Sequence, residues 1–188
     1  MTGNHSKKKQ PEAVRAQLME AAAQAATEGG LGSLTLDLVA HKAGVSKGGL
    51  IHHYPTRQAL IDALFSTLLH MFQKNIEERI LHDPDSRGRF TRAYVKATAL
   101  PREAPAESKL LGAFALAMSN DARLAELWFR WLKSQMEAYQ EDASSVTGRM
   151  IRYAADGIWL EDCTGGNMNT AEERQAVIEH LIRLTYSL

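Results

Sequence analysis

Lys47, Gly48, Gly49, His52, His53 and Arg57 fall in one short stretch of the chain, and their chemistry is non-covalent. A lysine ammonium suits a phosphate or a guanine edge. Two adjacent glycines weaken a helix by roughly 1 kcal/mol each relative to alanine. That cost makes sense where something such as a nucleic-acid backbone or base edge must come very close. Arg57 stands in the first turn of the next helix, where a cation is ordinarily unfavourable, and a phosphate partner would explain it. Metal and catalytic chemistry find no comparable support. His52 and His53 point about 100 degrees apart on a helix, so they do not easily share one ion. There is no H-x-x-x-H pair with an acid, no G-x-S-x-G, no phosphate loop and no C-x-x-C. The reading is therefore no enzyme, no metal and no cofactor. The single Cys163 cannot form an internal disulfide, which leaves it as a buried packing residue or a thiol sensor.

Two short helices and a tight turn must position these side chains. Thr35 stands before an apolar-periodic run and reads as an N-cap. Leu36, Val39 and Ala40 share one face of the helix it opens. Gly44 follows where the chain must turn left-handed, and Val45 plugs the corner. Ser46 caps a second helix over 47–54, with Leu50 facing the core while Ile51, His52 and His53 point outward. Pro55 ends that helix and Thr56 caps the next. Taken alone, this pattern is either a nucleic-acid-reading hairpin or an ordinary helical hairpin whose glycines serve close packing.

In register, Thr35, Ala40, Gly44, Val45, Ser46, Leu50, His53, Tyr54, Thr56, Arg57 and Leu60 resemble the DNA-binding domain of TetR-type transcriptional regulators. The shared pattern is a threonine-capped helix, A-x-x-[AL]-G-V-S, a recognition helix ending in [YF]-x-[HY]-[FY], then [ST]-[KR]-x-x-L. It covers roughly residues 12–64. Isoleucine stands at position 51 where the family usually has tyrosine, removing one phosphate or thymine contact. The run Tyr54-Pro55-Thr56-Arg57 also departs from the usual phenylalanine before a lysine. The resemblance implies that Thr35, Ser46, Lys47, Gly48, Gly49, Ile51, His52, His53, Tyr54 and Arg57 meet DNA. Thr35 and Arg57 would anchor phosphates, Lys47, Gly48, Gly49 and His52 would approach the major groove, and His53 and Tyr54 would hold or touch the backbone.

The rest of the chain reads as helix throughout. Helix formers dominate, strand-like alternation is absent, and at 188 residues with 45% hydrophobic content a real core is affordable. The fold class is all-α with about nine helices. A first helix over 11–28 buries Val14, Leu18, Ala21, Ala22 and Ala25 and ends at Gly29-Gly30. Lys7, Lys8 and Lys9 precede it, either as a solvated tail or as groove and phosphate contacts. One long helix spans 57–81. Further helices follow at 86–100, 106–119, 121–143, 145–162 and 170–188, with a loop at 101–105 and a Gly-rich loop before Thr170. Net charge is zero, but residues 1–57 hold seven Lys/Arg against four Asp/Glu, a net of +3. With 22 of each sign in the whole chain, the remainder is −3, a basic head on an acidic body. We divide the chain into a helix-turn-helix domain at 1–57, with its motif at 35–54, and a helical regulatory and dimerisation domain at 58–188. No apolar run reaches the roughly 18 residues a membrane span needs. The N-terminus lacks a secretory apolar segment and cysteine is scarce, so the expectation is cytoplasmic, with no membrane partner.

Within the body, Trp128, Trp131 and Met136 share one helix, with Phe129 displaced on it, and Trp159 lies on the next. They either fill a core or line an aromatic cavity for a flat or cationic molecule. Glu126, Asp156 and Glu161 are candidate acidic liners, and the resemblance places an effector pocket in this part of the chain. It also makes the final two helices a four-helix interface with a second copy, through Met150, Ile151, Ala154, Ile158, Val177, Ile178, Leu181 and Leu184. The implied function is a ligand-responsive repressor, a homodimer on a double-stranded palindromic DNA operator, released by a small hydrophobic or cationic effector. The alternatives are a ligand-independent DNA-binding regulator or activator, and a helical adaptor that binds protein only.

Overall fold

A computed structural model describes residues 5–99, 105–141, 145–164, 166 and 169–188, with the backbone alone for 5–10 and 105–109. The loop expected at 101–105 lies outside them except for Pro105, as do the expected helix end at 142–143 and part of the Gly-rich loop at 167–168. Among the described residues there are nine α-helices and no strand. They are α1 (His5–Ser33), α2 (Leu36–Ala43), α3 (Lys47–His53), α4 (Arg57–Leu81), α5 (Arg89–Ala99), α6 (Pro105–Met118), α7 (Ala122–Ala138), α8 (Val146–Thr164) and α9 (Ala171–Leu184). A 3₁₀ turn (Thr185–Ser187) follows. No described helix is long and apolar enough to cross a membrane.

The chain forms two compact units, Met1–Leu68 and Leu69–Leu188. The division falls inside α4 rather than at its start, because Leu60, Ile61, Leu64 and Phe65 are buried in the first unit. In that unit α1 presents Leu18, Ala21, Ala22, Ala25 and Ala26, all essentially buried. Small alanines allow close backbone approach, and α1 packs on α2, which packs on α3. Helical geometry in α1 breaks at Gly30 (φ 72°, ψ 171°), where the glycine pair was expected to end it. The helix also begins earlier than expected. Lys7, Lys8 and Lys9 lie within it rather than ahead of it, and Pro11 sits inside, where its missing N–H removes one backbone bond.

The second unit is organised around α5. Phe90 to Val95 and Ala97 to Ala99 are all buried, so a helix of only 11 residues is enclosed on nearly every side. Phe72, Ile76 and Ile80 of α4, Met136 of α7, Ile151 and Ala155 of α8, and Ile178 and Leu181 of α9 share its core. Enclosure makes an unpartnered polar group on α5 costly. Among the described residues the buried Thr98 hydroxyl makes no hydrogen bond of good geometry, whereas Thr91, Arg92 and Tyr94 all find partners. Glu141 supplies one at the helix start: its carboxylate accepts from the Phe90 and Thr91 backbone N–H groups (2.7 and 3.2 Å) and from the Thr91 hydroxyl (2.5 Å). A carboxylate at a helix N-terminus is also favoured by the macrodipole. Arg92, fully buried, donates to both Asp83 oxygens (2.7 and 3.1 Å), to the Arg87 and Asp85 carbonyls, and to the Thr185 hydroxyl. Its guanidinium lies 4.2 Å from the centre of the Tyr186 ring. The α7 helix stops at Tyr139 and Gln140, the latter at φ 55°, short of the end expected from the sequence.

Candidate nucleic-acid interface

In the first unit the capping chemistry is as the residues dictate. Thr35 is extended (φ −114°, ψ 154°) and its hydroxyl accepts from the Leu38 N–H at 3.2 Å. Gly44 is left-handed (φ 64°, ψ 26°) and closes α2 through the Ala40 and His41 carbonyls. Ser46 accepts from the Gly49 N–H at 3.1 Å and opens α3. Thr56 caps α4 through the Ala59 N–H at 3.0 Å. With both hydroxyls used as acceptors, Thr35 and Ser46 still hold a proton to donate outward.

The two glycines of α3 differ. A Cβ added at Gly48 would meet nothing within 4 Å, whereas one at Gly49 would stand 3.0 Å from Val45 Cγ1 and 3.2 Å from Ser46 Oγ. Gly48 thins the outer surface, whereas a side chain at Gly49 would press on Val45 and Ser46 of the turn. Lys47, Gly48, Ile51 and His52 share the exposed face, and Ile51 keeps 40% of its surface there. His53 is partly buried, with its ring edge-on to His52 at 5.5 Å.

Three residues expected at DNA have partners within the protein. Tyr54 is 4% exposed, and its hydroxyl receives Arg15 Nε at 3.4 Å. Its ring is therefore a wedge under α3, driven inward by the apolar area it buries. Arg57 donates to the Leu34 carbonyl at 2.6 Å and the Leu31 carbonyl at 2.5 Å. Those carbonyls, at the connection from α1 to α2, account for a cation that the sequence assigned to a phosphate. Lys47 lies 2.9 Å from Asp37 in an exposed ion pair. Asp37 was not singled out from the sequence, because no local spacing ties the first turn of α2 to the first turn of α3.

In the second unit an aromatic cluster surrounds Phe72. Its ring centre lies 5.8 Å from Tyr94, 6.0 Å from Trp128 and 5.5 Å from Trp131, and the two indoles are 5.1 Å apart. Trp131 donates to Gln73 at 3.3 Å. Met136 is buried in the same core. Tyr94 donates to Asp156 at 2.5 Å. Burial, then the Asp156 charge and hydrogen bond, push the Tyr94 hydroxyl well above its ordinary pKa. Burial raises the Asp156 carboxyl, against the opposing pull of Tyr94 and Arg152. Trp159, one turn beyond Asp156, has a buried indole N–H with no acceptor among the described residues. Glu126 does not join them: it is exposed and pairs with Arg130 at 2.5 Å, one turn along α7. Cys163 packs so closely on α6 that a Cβ at Gly112 would lie 3.0 Å from its sulfur.

Residues 18–64 match the family described as bacterial regulatory proteins, tetR family. Residues 88–186, more than half the chain, match the tetracyclin repressor-like C-terminal domain. The chain belongs to the TetR family. It is thus a DNA-binding transcriptional regulator, of a family whose members are not enzymes. Among curated relatives, the HTH-type transcriptional regulator BetI of Pseudomonas aeruginosa is 28% identical over 182 residues, covering 89% of this chain and 90% of that protein. BetI of Pseudomonas paraeruginosa matches equally. A transcriptional regulator from Rhodococcus sp. Rha1 shares the fold at a TM-score of 0.72 with 22% identity, covering 95% of this chain and 96% of that one. The multidrug binding protein EbrR, solved with imidazole, does so at 0.68 and 21%, covering 91% and 94%.

TetR-family membership directs attention to α8 and α9. Of the eight residues assigned to a pairing face, Ile151 and Ile178 are 0% exposed and Leu181 7%, inside the protomer's own core. Ala154, Ile158 and Leu184 are partly buried against that core. Met150 and Val177 do face outward, at 64% and 48%. The exposed large hydrophobic residues of α8 are Val146, Met150, Tyr153 and Leu160, of which Met150 belongs to the expected set.

The glycine contrast yields a direct test. Gly48→Ala should leave the melting temperature unchanged or higher, since alanine favours α3 by about 1 kcal/mol and meets no neighbour. Duplex affinity should nonetheless fall several-fold because the thinned surface is filled. Melting and DNA titration on the same sample read both; unaltered DNA affinity would return Gly48 to a merely local role.

Proposed function

We propose that the chain is a repressor that binds a palindromic operator as a homodimer and releases it when a small hydrophobic or cationic effector enters the body. The observation that carries this reading is the exposed apolar stripe Val146, Met150, Tyr153 and Leu160 on α8, with Val177 also exposed on α9. Monomers rarely leave so continuous an apolar row in water, and a second copy related by a two-fold axis would cover it. One recognition helix of seven residues reads few base pairs, so pairing supplies the second half-site. In each head Thr35, Ser46, Lys47, Gly48, Ile51, His52 and His53 would face DNA. Gly49, Tyr54 and Arg57 would set the helix that carries them. The cytoplasm, where the operator is, is the fitting compartment.

For the effector, the Phe72, Trp128 and Trp131 rings offer apolar and cation-attracting surface. The unpartnered Trp159 N–H offers a donor, and an unmet buried donor costs about 1–3 kcal/mol that a ligand acceptor would recover. EbrR, solved with imidazole, malachite green and ethidium, takes molecules of that aromatic kind. An effector acts here only by unequal affinity for the DNA-bound and free states.

The test is sedimentation alongside titration of duplexes from the chain's own upstream sequence. The wild type should be dimeric at micromolar concentration and bind one such duplex, with malachite green releasing it. Met150→Glu alters a side chain already 64% exposed, so it should fold, turn monomeric and lose at least tenfold in operator affinity. A monomeric wild type that ignores every duplex ends the reading.

A further inference from the structure

A cleft of about 440 Å³ lies in the second unit, bounded by the last turns of α4, the segment that follows it, α5 and the 3₁₀ turn. Its volume is within the roughly 300–1,000 Å³ typical of small-molecule sites. None of its lining residues belongs to the aromatic cluster around Phe72. Two cations face it, Arg79 and Lys96, each partly buried. Among the described residues neither is paired directly with a carboxylate, although Lys96 feels the Asp83 charge at longer range. Of the two carboxylates in the lining, Asp83 is committed to Arg92 at 2.7 Å, and Glu78 is exposed at the edge.

The rest of the lining is held in place. Arg79 Nε donates to Asn75 Oδ1 at 3.0 Å, which fixes the guanidinium plane. Tyr186 is fixed on one side by the Arg92 guanidinium stacked on its ring. His82 Nδ1 lies 2.7 Å from the Glu78 carbonyl, which makes Nδ1 the donor in that contact. With Asp83 bonded to Arg92, Arg79 and Lys96 are only partly compensated, and two partly desolvated cations on one cavity favour an anion between them. The carbonyl end of α4 and the Glu78 carboxylate oppose negative charge here. The cleft therefore suits one compact oxyanion group better than a polyanion.

We propose that this cleft is a second ligand site of the protein, taking a small molecule through one carboxylate or phosphate group held by Arg79 and Lys96, with Tyr186 along its flank. The site needs no DNA and no second copy.

Calorimetric titration of the full chain with inorganic phosphate, and separately with succinate, at fixed ionic strength tests this. At least one should bind saturably, and Arg79→Gln and Lys96→Gln should each weaken it tenfold or more while melting as the wild type does. Tighter phosphate identifies a phosphate-bearing ligand, and tighter succinate a carboxylate. As a measurement that needs no variant, the Arg79 Nε–H resonance of the wild type should shift along the same saturation curve. The proposal is overturned if neither probe exceeds a sodium chloride control, if both variants bind as the wild type does, or if that resonance stays still while heat is released.

Discussion

Arg92→Ala should destabilise the second unit by about 3–5 kcal/mol, the loss expected when one partner of a buried ion pair is removed. Arg92 is fully buried and the Asp83 side chain is 8% exposed, so water cannot replace the lost cation. Asp83 would remain as an uncompensated carboxylate. The Arg87 and Asp85 carbonyls and the Thr185 hydroxyl would lose their donor, and the Tyr186 ring its support. Adding Asp83→Asn to Arg92→Ala should recover part of the loss, because it removes the stranded charge. The pH dependence has a definite sign. The Arg92 hydrogen bonds hold the Asp83 carboxyl below its ordinary pKa. A lowered folded-state pKa gives stability that is fully present above the unfolded value, about 3.9, and that is lost as pH falls through the lower folded value. The gap between wild type and Arg92→Ala should therefore be widest near neutrality and narrow below about pH 4. A gap that does not change with pH in chemical denaturation would show that packing, not the ion pair, sets the loss.

Lys47→Ala should weaken operator binding by roughly 30-fold, at about 1 kcal/mol for each of two half-sites. The slope of log affinity against log salt should fall by about 2, since each phosphate contact contributes about 0.9. Asp37 makes this more than a charge deletion. In the free protein it holds the Lys47 ammonium at 2.9 Å, so DNA must displace an internal carboxylate. Both side chains are well exposed, which limits the pair to about 0–1 kcal/mol. Asp37→Asn should accordingly tighten binding a few-fold, and that gain should vanish when Lys47 is already alanine. A salt slope that is identical in wild type and Lys47→Ala would remove the lysine from the interface.

Features fixed by neighbours in sequence were legible before any coordinates. Thr35, Gly44, Ser46 and Thr56 act within four residues of themselves, and each sits where its backbone chemistry requires. The ends of α4 at Arg57 and Leu81 followed from a capping threonine and the Asp-Pro break. Features fixed by distant partners were not legible. The Arg57 bonds to the Leu34 and Leu31 carbonyls could not be read from the sequence, because those acceptors lie more than twenty residues away. The burial of Tyr54 was not legible either, because its partner Arg15 lies 39 residues away on α1. The helix RFTRAYVKATA looks amphipathic, yet it is enclosed, since Asp83, Glu141 and Asp156 arrive from three other segments to meet its Arg, Thr and Tyr. Of the residues expected at the pairing face, Met150 and Val177 face outward while Ile151, Ile178 and Leu181 are buried, because helical period alone does not say which neighbour covers a face.

All three tryptophans lie beyond Leu68, two of them in the Phe72 cluster and the third on α8, whereas the helix-turn-helix unit has none. Tryptophan emission, excited selectively, consequently arises in the second unit alone, since the reading head carries only the weaker emitter Tyr54. A spectral change on adding a compound reports the body alone, and duplex binding that leaves the spectrum still is no sign of failure. Two neighbouring indoles at 5.1 Å will also exchange excitation, so a change in their mutual angle should register as altered polarisation before any shift in colour.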